Sequence, residues 1–178
     1  MTTPTQCRLI RILLLLCFLT QVLFFILAWT STLPSLGTWL MRVVAKGLSQ
    51  QEMQNLSSAE RWLGVLTGLP VIISMAIGLW NLDRLLARLN QATMFSLQSI
   101  GRLRTFAGAI SLSTVLSIIE PPVRTAAYLL LPGEHTGKFS VSVSTEELVL
   151  LLVCTVFYLV IGIMHEGRRL AEENEAFI

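Results

Sequence analysis

Residues 12–30 read ILLLLCFLTQVLFFILAWT, nineteen positions without a charge. A helix rises 1.5 Å per residue, so the stretch covers about 28 Å, close to the roughly 30 Å hydrocarbon core of a bilayer. Arg8 and Arg11 stand just ahead of it. A basic start followed by an apolar core is also the pattern of a secretory leader. The run is long for a leader, and Ala28-Trp29-Thr30 is a poor small-residue cleavage site, so the stretch reads as an uncleaved anchor. Thr20 and Gln21 fall near its middle. A glutamine in hydrocarbon needs a partner, which turns Gln21 toward other helices.

Three further apolar runs follow, at residues 62–82, 105–131 with a bend at 120–122, and 148–164. They are continuous, whereas barrel strands alternate over about ten residues, so the spans are helices. Charged residues make up 13% of the 178 positions, against about 25% in soluble domains, too few to cover a soluble surface. The fold class is therefore all-α: an integral membrane four-helix bundle with a cytoplasmic amphipathic linker and tail, one membrane domain over residues 1–178. The three cysteines form no disulfide framework. The net charge of +2, with basic residues hugging the membrane segments, points to no direct nucleic-acid partner.

Local signals refine this layout. Residues 39–46 form either a short interfacial helix anchored by Trp39 or a surface loop. Ser57 or Ser58 caps the second span ahead of Glu60. That span carries Pro70, a kink site, and the pair Gly64 and Gly68, which permits close helix approach. Leu82, Leu85, Leu86 and Leu89 share a face, so the helix continues beyond the membrane. Phe95-Ser96 then opens a new helix with Ser96 as its N-cap. In the third span Ala109, Ser113 and Ser117 recur every four residues as a tight packing seam. Glu120-Pro121-Pro122 ends or bends that helix. Residues 139–144 alternate apolar and polar, a pattern for a short strand, although an extended loop is the safer reading. Ser144 and Glu147 make a capping box for the fourth span, whose charged tail from His165 to Ile178 continues as helix.

With the N-terminus inside, the internal segments hold Arg8, Arg11, Arg84, Arg88, Arg102, Arg104, Arg168 and Arg169, eight of the 13 lysines and arginines. The positive-inside rule then places both termini in the cytoplasm. Glu120 and Arg124 are four residues apart near the outer end of the third span, and charges at such depth are costly unless paired. They read as an interfacial ion pair, with a gate, proton site or substrate contact as the functional alternative. Together with Gln21 they are the candidate intramembrane polar residues. His135 and His165 do not make a metal site, and no nucleophile–base grouping, phosphate loop or cofactor motif is present. The chain reads as no enzyme, with no cofactor.

Residues 85–108, LLARLNQATMFSLQSIGRLRTFAG, and residues 165–178, HEGRRLAEENEAFI, together carry a resemblance. Phe95, Ser96, Leu103 and Arg104 match one element, and Gly167, Leu170, Glu173 and Ile178 a second, of the bacterial membrane family known as domain of unknown function 2975. Ala92 departs from the first element, where the family often has glycine. The four-span layout matches over nearly the whole chain. The resemblance implies the bacterial inner membrane and no established activity. Family members look like genetic neighbours of small helix-turn-helix regulators, which suggests that the cytoplasmic linker and tail bind one, through Phe95, Leu170, Glu173, Phe177 and Ile178; the alternative is that both segments lie on the bilayer surface or pack on each other. The functional expectation is a non-enzymatic regulatory or interaction protein. The alternative is a small homo-oligomeric transporter or channel-like component, which requires Gln21, Ser113, Ser117 and Glu120 to converge on a cavity.

Overall fold

The structure is a computed structural model, describing residues 4–30, 45–89, 97–130, 141 and 143–175. Trp39 to Val44, Phe95, Ser96, His135, Phe177, Ile178 and most of 133–142 lie outside the described residues. The expected interfacial helix, the linker N-cap, the external strand and three of the tail and linker contacts therefore fall there.

Five helices follow in order: α1 (Pro4–Thr30), α2 (Gln50–Asn55), α3 (Ser58–Leu89), α4 (Leu97–Leu129) and α5 (Thr145–Glu175). No strand occurs among the described residues. Helices α1, α3, α4 and α5 are each long and apolar enough to cross a membrane. Two capping boxes start the spans that the sequence marks. The Ser57 amide donates to Glu60 Oε2 at 2.6 Å and the Glu60 amide to Ser57 Oγ at 3.3 Å. The Ser144 amide donates to Glu147 Oε2 at 2.9 Å and the Glu147 amide to Ser144 Oγ at 3.3 Å. Each box satisfies two backbone donors that a helix start leaves bare. A third, between Ser49 and Glu52, starts α2. The two hydrogen bonds from Ser49 hold the exposed Glu52 carboxyl below its ordinary pKa.

The helices pack in the order α1–α3–α4–α5, and among the described residues α1 makes no backbone contact with α4 or α5. In lipid the driving forces are close packing and interhelical hydrogen bonds, since lipid tails are as apolar as leucine. The seams follow that rule. Gly64 lies under the indole of Trp29, where a Cβ would come within 2.0 Å of the ring, and Gly68 lies under Phe25. Ser74 Oγ donates to the Ala109 carbonyl at 2.9 Å, and Ser113 Oγ to the Val71 carbonyl at 3.1 Å. Between α4 and α5 lie Ile100, Ala107 and Ile161, flanked by an edge-on pair of rings, Phe106 and Phe157, at 5.7 Å.

One expectation needs correction, and one pair of alternatives narrows. Ala109 and Ser113 line the α3 seam, but Ser117 turns away and donates to Glu147 Oε1 of α5 at 3.2 Å. At 100° per residue each four-residue step drifts about 40°, so Ser117 sits about 80° round the helix from Ala109. Of the two readings of Glu120-Pro121-Pro122, an end or a bend, the end is excluded, because α4 runs through both prolines to Leu129. Prolines are tolerated in membrane helices when other groups satisfy the carbonyls they free.

At one end of the bundle Arg11 Nη2 reaches Asp83 Oδ2 at 2.9 Å, and Arg102 Nη1 donates to the Arg84 carbonyl at 3.1 Å. The start of α1, the end of α3 and the start of α4 thus share one arginine-rich end. The end of α1, the starts of α3 and α5, and the end of α4 share the other.

Candidate functional site

The second end holds a set of charges that begins with a missing hydrogen. In a helix the Ser117 carbonyl would accept from the amide of residue 121, but proline has none. Lys46 Nζ takes up that carbonyl at 3.4 Å. The same ammonium pairs with Glu147 Oε1, which also accepts from Ser117. Glu147 therefore joins three elements: it caps α5, receives the linker lysine and binds α4.

Arg124 completes the set. Its side chain is 2% exposed. Nη1 donates to Glu120 Oε1 at 2.6 Å, and Nη2 donates to the backbone carbonyl of Lys46. Its guanidinium lies 5.6 Å from the centre of the Trp29 ring, within cation–π range. Glu120 Oε1 also accepts from Thr67 of α3 at 3.3 Å. The i,i+4 pair thus forms despite the prolines between its members. Gly47, at φ +77°, makes the turn that presents the Lys46 carbonyl to Arg124, a conformation that glycine adopts without strain. Every charge in the set has an opposite partner, as burial in low dielectric requires.

This network floors a cavity of about 740 Å³ between α1, α3 and α4. Gln21, Glu120 and Arg124, the three candidate intramembrane residues, all line it. Cys17, Thr20, Gln21 and Phe24 form the α1 wall, three and four residues apart on one face, and all four are exposed. Gly68, Val71 and Ile72 form the α3 wall, and Ser117 lies on α4. Ser113 does not line the cavity, since its hydroxyl is taken by Val71. Of the four residues whose convergence the transporter reading requires, three converge. Of the tail candidates within the described residues, Leu170 is half exposed and Glu173 pairs with Arg169 at 3.3 Å, both near the C-terminal end of α5 and neither of them lining the cavity.

Sequence reasoning missed Lys46, Glu147, Thr67 and Trp29 as members of this site. Lys46 read as a loop charge, and Glu147 only as a cap. The one local signal was Pro121, which frees a carbonyl that some donor must find. No group of three metal-ligating side chains occurs among the described residues.

The chain belongs to the family described as "Protein of unknown function (DUF2975)", which matches residues 45–178. The match covers α2 to α5 and leaves α1 outside. Neither a curated protein nor a solved structure matches the chain. With its four apolar helices, the chain is a multi-pass membrane protein of a family without an assigned function.

Proposed function

We propose that this member of the DUF2975 family is a non-enzymatic interaction protein of the bacterial inner membrane, which binds a small amphipathic molecule in the cavity and reports it to a cytoplasmic partner. The observation that carries this is the cavity itself: apolar walls from α1 and α3 above a floor of mutually paired charges. Groups poised for chemistry have free lone pairs or protons to exchange, whereas these are committed to one another. Both termini lie in the cytoplasm, a reading supported by the arginine-rich end where Arg11, Arg84 and Arg102 meet. The partner, by the family resemblance, is a small helix-turn-helix regulator. It is contacted through Phe95, Leu170, Glu173, Phe177 and Ile178, beyond the membrane core.

The test is photo-crosslinking in cells from Leu170 and Phe177, in the native chain and in Ile72→Trp, which fills the cavity. Capture of one discrete DNA-binding protein, at a yield that Ile72→Trp changes, is the expected result. Capture of lipid or of further copies of this chain alone would refute the regulatory reading.

A second reading, a small homo-oligomeric transporter, draws support from the convergence of Gln21, Ser117 and Glu120 on one cavity. Flux of a fluorescent amphiphile from proteoliposomes, abolished by Ile72→Trp, would favour it over the first.

A further inference from the structure

Gln21 is exposed on α1 within the span, roughly 14 Å from the helix end at Thr30. Its amide offers two donors and two acceptor lone pairs. Among the described residues it makes no hydrogen bond, while the neighbouring Thr20 hydroxyl is satisfied by the Leu16 carbonyl at 2.8 Å. In hydrocarbon a bare amide is costly, so a ligand that pairs with it gains by doing so. Gln21 lines the cavity, and so do Phe24 and Phe25.

The charges at the floor cancel. Arg124 is paired with Glu120 and Lys46 with Glu147, two cations against two anions. Among the described residues that line the cavity a charged ligand would find no uncompensated counter-charge, and it would lose its hydration without replacement. Among the described residues α1 makes no backbone contact with α4, which leaves a lateral path into the cavity for a molecule dissolved in the bilayer.

We infer that the cavity takes a neutral, carbonyl-bearing lipid from the bilayer, with the Gln21 amide donating to its head-group carbonyl and Phe24, Phe25, Val71 and Ile72 holding its apolar body. This rests on the reading of the cavity as a ligand site and names the ligand's class. Two sources share this chemistry, isoprenoid quinones and acylglycerols.

The experiment is native mass spectrometry of the full chain in detergent, titrated with decylubiquinone, dioctanoylglycerol, dodecyl phosphate and dodecyltrimethylammonium. Saturable binding of a neutral probe at one per chain is expected, and whichever of the two saturates first identifies the source. Gln21→Leu should weaken that binding about fivefold, the effect of losing one neutral hydrogen bond. It should not impair folding, since leucine suits a membrane helix. Equal binding to Gln21→Leu, or tighter binding of either charged probe, overturns the inference. If Ile72→Trp abolishes that charged-probe binding, the cavity still stands as a ligand site. If no probe binds in a way that Ile72→Trp blocks, the ligand-site reading falls as well.

Discussion

Replacing Glu120 by leucine removes the carboxylate that compensates Arg124 and leaves a guanidinium, 2% exposed, with the Lys46 carbonyl and the Trp29 ring as its partners among the described residues. A guanidinium cannot shed its proton, so it must stay buried and charged or drag the helix end apart. Breaking a buried pair from one side costs about 3–5 kcal/mol. Arg124→Met is expected to be milder, about 1–3 kcal/mol, because a lone carboxyl can be buried neutral by taking up a proton and the Thr67 hydroxyl still donates to it. The double substitution removes both charges. It forfeits the Thr67 and Lys46 hydrogen bonds but restores apolar packing, and should lie within about 1 kcal/mol of the native chain. The assay is reversible unfolding in mixed micelles of increasing SDS content, across all four chains of the double-mutant cycle. If the double loss equals the sum of the single losses to within about 0.5 kcal/mol, the two residues do not stabilise each other and the Glu120–Arg124 pairing is refuted.

Gly64→Ala should destabilise the same transition by about 1–3 kcal/mol, because the new methyl would overlap the Trp29 ring, and the loss should vanish in a Trp29→Ala background. Gly162→Ala, which meets nothing within 4 Å, should be neutral or stabilising by up to about 1 kcal/mol through helix propensity. Pro121→Ala returns an amide to the Ser117 carbonyl and so competes with Lys46; a cysteine at Ser49 should then react faster with a maleimide than in the native chain. Ser144→Ala should cost about 1 kcal/mol as a lost cap and should also raise hydrogen exchange at the start of α5. The Glu52 carboxyl lies below its ordinary pKa of 4.5 in the folded chain, so its support of α2 is complete above that value and lost as pH falls beneath it; amide exchange in α2 followed from pH 6 to 3 should rise only at the acid end.

The spans were legible because a bilayer imposes length and polarity on each segment separately, and the run from Ile12 to Thr30 needs no other part of the chain to be read. The caps at Ser57 and Ser144 were legible for the same reason, since each box closes within four residues. So was Glu120 with Arg124, one helical turn apart. Lys46 with Glu147 was not, because 101 residues separate them and only the packing of α4 against α5 brings them together. Gly64 announced that some chain would approach closely, but not that the chain would be Trp29. Ser117 misled through arithmetic, since a four-residue repeat is only approximately a face, and two steps carried it from the α3 seam to α5.

The division between α1 and the rest bears on how the site works. Lys46, Thr67, Ser117, Glu120, Arg124 and Glu147 all fall within residues 45–178, the region the family matches. Gln21, Phe24, Phe25 and Trp29 fall outside it. The ion network closes on itself within α3, α4, α5 and the 45–49 turn, and needs from α1 only the Trp29 ring over Arg124. Conversely, α1 is held to the bundle by glycine–aromatic contacts on α3 and by the exposed Arg11–Asp83 pair, whose attraction solvent and salt screen. The floor of the cavity is thus tied by ion pairs and hydrogen bonds, and its α1 wall is held mainly by packing. A ligand that bridges Gln21 and the α3 wall would tighten α1 against α3, and the ring of Trp29 is the one element that carries such a shift into the charge network. Trp29→Ala should therefore separate the two. Unfolding by SDS should still be sensitive to Glu120→Leu in that background, while a bound neutral amphiphile should no longer slow hydrogen exchange around Arg124. Slowing that persisted without the indole would mean the cavity and the network communicate through α3 instead.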